Sequence, residues 1–152
     1  MGADLYINEA YESRLKQMKP KLDESLQILN TLTRGTIDYR QEEEKYLNLL
    51  YELHDGVYFR DSYNCTSIAW SLRLSWWDDV YPMLDNENKL SKNKTYGLIK
   101  MIKLKNLHIS DDLLEHLLTK EEAKNFLENK RKELLSFLSK SIDSNQEIYC
   151  SL

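Results

Sequence analysis

The residues able to do chemistry crowd into one part of the chain. Of its ten Tyr, three Trp and three Phe, most lie between positions 39 and 81, among them Tyr58, Tyr63, Trp70, Trp76 and Trp77. The same stretch holds His54, Asp55, Arg60, Asp61, Asn64, Arg73, Asp78 and Asp79. Rings with polar tips give large contact area at small entropic cost, and Trp, Tyr and Arg are the usual anchors of protein interfaces. The expected contact residues are Tyr58, Arg60, Asp61, Tyr63, Asn64, Trp76, Trp77 and Asp79. The bland alternative is that the rings fill a small core while the polar groups cap and staple loops. Arg60 and Asp61 are then expected to form an internal pair, and Asp78 and Asp79 to serve a helix start.

Catalytic patterns are thin. His54, Asp55 and Asp61 are candidates for acid/base work or for a metal. However, His54 and Asp55 are neighbours at a helix end, so they point roughly 100° apart. His108 and His116 stand eight positions apart across a turn, and no His-x-x-x-His or Glu-x-x-His pair occurs. There is no glycine-rich phosphate loop, nucleophile elbow or dinucleotide fingerprint. Cys65, in a loop or at a helix start, lacks an adjacent base and reads as a small buried residue. No catalytic residue, metal or cofactor is expected.

The opening MGADLYI, the run YFRDSYN at 58–64, LSWWDDV at 74–80 with Pro82, and the ending IYCSL resemble an uncharacterised family of small bacterial proteins. Members of that family share the opening motif, a Tyr-Phe-Arg-Asp-Ser-Tyr-Asn run and a Leu-Ser-Trp-Trp run. The family has no established activity. The resemblance therefore directs attention to Arg60, Asp61, Tyr63, Asn64, Trp76, Trp77 and Asp79 without naming a function.

These residues must be held by helices. Leu15, Met18, Leu22, Leu26, Leu29 and Leu32 recur at helical steps, interrupted by Pro20, which predicts a kink or a new helix start. A second helix is expected from an Asp38 cap to His54, burying Tyr39, Tyr46, Leu49, Leu50 and Leu53. Positions 55–64 read as a loop. Short helices follow over 66–74 and from Ser75, where Trp76, Val80 and Leu84 form the apolar side. Three more open at Ser91 (Tyr96, Ile99 and Ile102 inward), at Ser110 (Leu113, Leu114 and Leu117 inward) and at the Thr119–Glu122 capping box. The last runs over 120–144 on Ala123, Phe126, Leu127, Leu134, Phe137, Leu138 and Ile142. The fold expected over 1–152 is one all-α domain of five to seven helices. At most a two-stranded element joins LYI to the tail QEIYCSL.

The 152 residues carry a net charge of −4, a balance that disfavours non-specific nucleic-acid binding. The charge is uneven, because Lys92, Lys94, Lys100, Lys103 and Lys105 occur with no acid between them. Two cysteines, no basic apolar leader and no long apolar run point to a cytoplasmic protein without a membrane partner. The function expected is a non-enzymatic protein-binding module of immunity, inhibitor or regulatory type, using 39–81 and contacting another protein. The alternatives are a small-molecule-binding or hydrolytic enzyme with a pocket around 58–79, and nucleic-acid contact through 92–105.

Overall fold

Side chains along Gly2–Ile7 (β1) alternate in burial, with Ala3, Leu5 and Ile7 inside and Asp4 and Tyr6 half-buried. Period two is the signature of a strand with one covered face. The computed structural model describes residues 2–116 and 119–152. In it, β1 is followed by α1 (Asn8–Thr31), α2 (Ile37–His54), β2 (Tyr58–Ser62) and α3 (Ile68–Ser71). A single π-helical turn (Trp76–Val80) and a 3-10 turn (Tyr81–Met83) lead to β3 (Lys89–Leu90). The chain then forms α4 (Lys92–Leu104), α5 (Asp111–His116), α6 (Lys120–Asp143) and β4 (Ile148–Ser151).

The chain is 65% helical, but the all-α expectation is corrected by an antiparallel sheet of four strands in the order β2-β1-β4-β3. The expected pairing of the termini is present, with Leu5 opposite Cys150 and Ile7 opposite Ile148. Strand β2, read as loop, adds to the other side of β1, with Leu5 opposite Phe59 and Ala3 opposite Asp61. The strand was hidden because an acid, Asp61, occupies an inward position and breaks the apolar alternation.

The described chain divides into two compact units, Glu9–Val57 and β1 with Tyr58–Leu152. In the first, α1 and α2 form a hairpin around Met18, Leu22 and Leu53, with Tyr11, Leu15, Tyr46, Leu49 and Leu50 against them. Helix α1 runs unbroken through Pro20, which is exposed. Thr36, rather than Asp38, caps α2 by accepting from the Tyr39 amide, and Gly35 takes the left-handed conformation (φ 88°) that the preceding turn requires. Arg14 Nη1 donates to the carbonyls of Glu52 (3.1 Å), Leu53 (3.3 Å) and Asp55 (2.7 Å), supplying the orphan acceptors at the end of α2.

In the second unit α6 packs on β2, α3, α4 and α5. Ala3, Leu5, Ile7, Phe59, Leu90, Ile148 and Cys150 face a core shared with Leu127, Leu134, Phe137 and Leu138 of α6. The Phe59 and Phe137 rings lie 6.1 Å apart. Thr119 and Glu122 make the capping box reciprocally. Two inward assignments are corrected: Tyr96 is 47% exposed and Phe126 is 38% exposed. Each ring flanks its helix's buried stripe and turns outward. Leu113 is buried on α5, whereas Leu117 lies outside the described residues. No helix among the described residues is long and apolar enough to cross a membrane.

Candidate functional site

Strand β2 sends its side chains to two different places. Asp61 points inward and is completely buried. Its Oδ2 accepts from Ser67 Oγ (2.7 Å), the Ala69 amide (3.1 Å) and Trp76 Nε1 (2.9 Å). Its Oδ1 accepts from the Ile68 amide (2.9 Å) and from Lys130 Nζ (3.0 Å). The first amides of α3 are orphan donors, so a carboxylate there satisfies them and complements the helix end. Lys130 also donates to the Thr66 carbonyl (3.0 Å) and lies 5.9 Å from the Phe126 ring centroid. The anticipated Arg60–Asp61 pair is therefore corrected: adjacent residues on a strand face opposite ways. Asp61 pairs with Lys130, and Arg60 with Asp4 (3.6 Å).

The other face of the sheet carries Asp4 and Tyr6 of β1, Tyr58 and Arg60 of β2, and Tyr149 of β4. Three tyrosines form a row across it. The Tyr6 and Tyr58 centroids are 5.1 Å apart and those of Tyr6 and Tyr149 are 6.1 Å apart. Tyr58 Oη donates to Asp4 Oδ1 (2.5 Å), and burial together with this carboxylate pushes the phenol up to about 12. Burial also raises Tyr63, with the Asp4 and Asp61 carboxylates adding to the shift. The buried Tyr63 hydroxyl completes no hydrogen bond, although Trp77 lies near enough to offset part of that shift.

Beside β4, the rim of this face becomes a cleft of about 250 Å³ lined by Trp77, Tyr81, Asn88, Tyr149, Cys150, Ser151 and Leu152. Ser75 builds the rim by accepting from the Asp78 amide (3.0 Å) while Asp79 Oδ2 accepts from the Ser75 amide (2.7 Å). The single π turn that follows buries Trp76 and Val80 and leaves Trp77 51% exposed. Trp77 and Tyr81 pack as a tilted pair, 5.6 Å between centroids.

The eight expected contact residues thus separate. Tyr58 and Arg60 stand on the open face, and Trp77 on the cleft. Asp61 and Trp76 are joined in the core by the indole hydrogen bond. Asn64 Oδ1 accepts from Ser62 Oγ (2.9 Å), the Thr66 amide (2.9 Å) and Thr66 Oγ1 (2.6 Å), so it shapes the turn into α3. Asp79 is taken up by its cap. His54 stacks on Tyr11 (6.2 Å) within the hairpin unit, and Asp61 belongs to the other unit. No grouping of metal-ligating side chains occurs among the described residues. Cys150 is buried and its thiol is pushed up to about 12 by that burial, while Cys65 is partly exposed. The expected contact residues omit Tyr6 and Tyr149, and Tyr81 enters only as the end of the aromatic stretch. Tyr6 and Tyr149 were within reach, since pairing LYI with IYCSL places both tyrosines on one face. Comparison of the chain with protein-family profiles, curated proteins and solved structures finds no match.

Proposed function

We propose that the chain is a protein-binding module of inhibitor, immunity or regulatory type in the bacterial cytosol, and that its contact surface is the open sheet face with the Trp77–Tyr81 rim. The observation that carries this reading is the rim itself. Two large aromatic side chains, 51% and 50% exposed, stand on a doubly capped turn beside a cleft. Such rings lose little entropy on binding and are frequent hot spots. The hydrolytic alternative has less support, because Asp61, its natural acid or base, spends its oxygens on five donors inside the core. The test is a cross-linked capture from bacterial lysate with the wild type, Trp77→Ala/Tyr81→Ala and Trp70→Ala. Trp70 is 54% exposed but does not line the cleft. One stoichiometric partner, lost with the double variant and kept with Trp70→Ala, is expected. Equal capture by all three sinks the proposal.

One observation favours a second reading. Lys92, Tyr96 and Lys100 follow at four-residue steps on α4, with Lys103 near the same side, and Tyr96 is exposed among them. This gives the lysine run the aromatic member that a nucleic-acid surface uses. Salt-dependent retardation of single-stranded nucleic acid, lost in Lys100→Ala/Lys103→Ala, is the outcome that reading requires.

A further inference from the structure

The stretch that brings Trp77, Tyr81 and Asn88 to the cleft beside β4 is acidic. Residues 77–88 contain Asp78, Asp79, Asp85 and Glu87 and no base. The first cation after them, Lys89, stands opposite Tyr149 in the register of β3 and β4, and Tyr149 lines the cleft. Its ammonium is already held by Glu87 Oε2 at 2.5 Å, with Asp85 and Glu147 also within electrostatic reach. One lysine thus faces three carboxylates, and Asp78 adds an exposed fourth next to Trp77. The aromatic faces at this place are Trp77, Tyr81 and Tyr149. A ring face is negative and attracts cations, Trp most strongly, and a planar guanidinium stacks on it better than an ammonium.

Resting on the protein-binding reading above, we propose that this cleft receives an arginine side chain from a basic segment of the partner. The guanidinium lies against Trp77 and Tyr81, its charge complemented by the net-negative stretch 77–88 that carries the rim, while the Asn88 and Ser151 side chains offer oxygens to its outer N–H groups. The occupant is a cationic protein surface. An acidic one meets like charge at Asp78 and Glu87.

The test uses N-acetyl-arginine amide and its uncharged isostere N-acetyl-citrulline amide as probes. Each is titrated into isotope-labelled protein while the three indole N–H resonances are followed, assigned with Trp70→Phe and Trp77→Phe. The arginine probe is expected to shift the Trp77 resonance saturably, with the citrulline probe about fivefold weaker, the size of one cation–π contact. Asp78→Asn/Glu87→Gln is expected to lower the arginine response about threefold, and added salt to do the same. Equal binding of the two probes overturns the cationic occupant while leaving an aromatic protein-binding surface intact. Absence of any Trp77 shift with either probe overturns the cleft as the seat, whatever the lysate capture returns. Self-association on sedimentation that Trp77→Ala abolishes replaces the basic partner with a second copy and also overturns the proposal.

Discussion

Replacing Asp61 by Asn is the sharpest test of how the second unit is held together. The two side chains have nearly the same shape, so the change removes charge and one acceptor without opening a cavity. The amide oxygen can stay at the Oδ2 position and keep Ser67 Oγ, the Ala69 amide and Trp76 Nε1. The new NH2 then meets the Ile68 amide and Lys130 Nζ, both donors, at the place where Oδ1 accepted them at 2.9 and 3.0 Å. Two hydrogen bonds to a charged acceptor are lost, about 1.5–3 kcal/mol each, so the variant should lose about 3–6 kcal/mol. A domain of this size has about 5–15 kcal/mol in all, so the loss is a large share of it. Lys130→Met strands the buried Asp61 charge without its cation and frees the Thr66 carbonyl, a cost of about 3–5 kcal/mol. Because both changes act on one contact, Asp61→Asn/Lys130→Met should fall short of the sum of the single losses by about 1–2 kcal/mol. Urea unfolding followed by far-ultraviolet circular dichroism reads all four proteins, with unchanged m-values required for the comparison. An Asp61→Asn variant within about 0.5 kcal/mol of wild type, or single losses that simply add, refutes this role of Asp61.

Three further outcomes follow from the same structure. Trp76→Ala should cost about 3–5 kcal/mol, because a buried indole and its bond to Asp61 disappear, whereas the exposed neighbour in Trp77→Ala should cost under about 1 kcal/mol; thermal melts compare them. Tyr58, pushed up to about 12, should ionise after the exposed tyrosines, and Tyr58→Phe should remove one late step from the absorbance titration at alkaline pH. The native pKa is raised, so the neutral phenol contributes stability that is complete below the unfolded value near 10 and is lost as pH rises towards 12. At pH 8 a thiol reagent should label Cys65 first and reach Cys150 only on unfolding, and mass spectrometry of the labelled peptides would show the reverse order if burial did not control reactivity.

Much of the helical scaffold was legible because its signals are local. The Thr119–Glu122 box, the Ser91 cap and the apolar spacing of Leu127, Leu134, Phe137 and Leu138 each specify an element from within a few residues. Pro20 misled because a proline's missing N–H and its clash are local penalties, and α1 continues through it with the stripe Met18–Leu22–Leu29 packed on both sides. Strand β2 was illegible for the opposite reason. Asp61 is inward only because Lys130, 69 positions away, and the amides of α3 are there to receive it.

The same asymmetry decides what could be read of the candidate site. Types and spacing single out a dense stretch, but density along the chain is not adjacency in space. Yet consecutive residues on a strand diverge: Asp61 goes to the core while Arg60 goes to the open face. Consecutive residues on the capped turn diverge too, with Trp76 inside and Trp77 outside. The candidate surface draws instead on outward positions of three distant segments, Tyr6, Tyr58 with Trp77 and Tyr81, and Tyr149, none of which stands out alone. The YFRDSYN and LSWW runs therefore join two purposes in one string. Asp61, Asn64, Trp76 and Asp79 hold the turn and α3 in place, and Tyr58, Arg60 and Trp77 are what that framework presents. Changes to the first group should act through folding, and changes to the second through contact. That division separates residues that build the framework from residues the framework exposes more cleanly than either run does by itself.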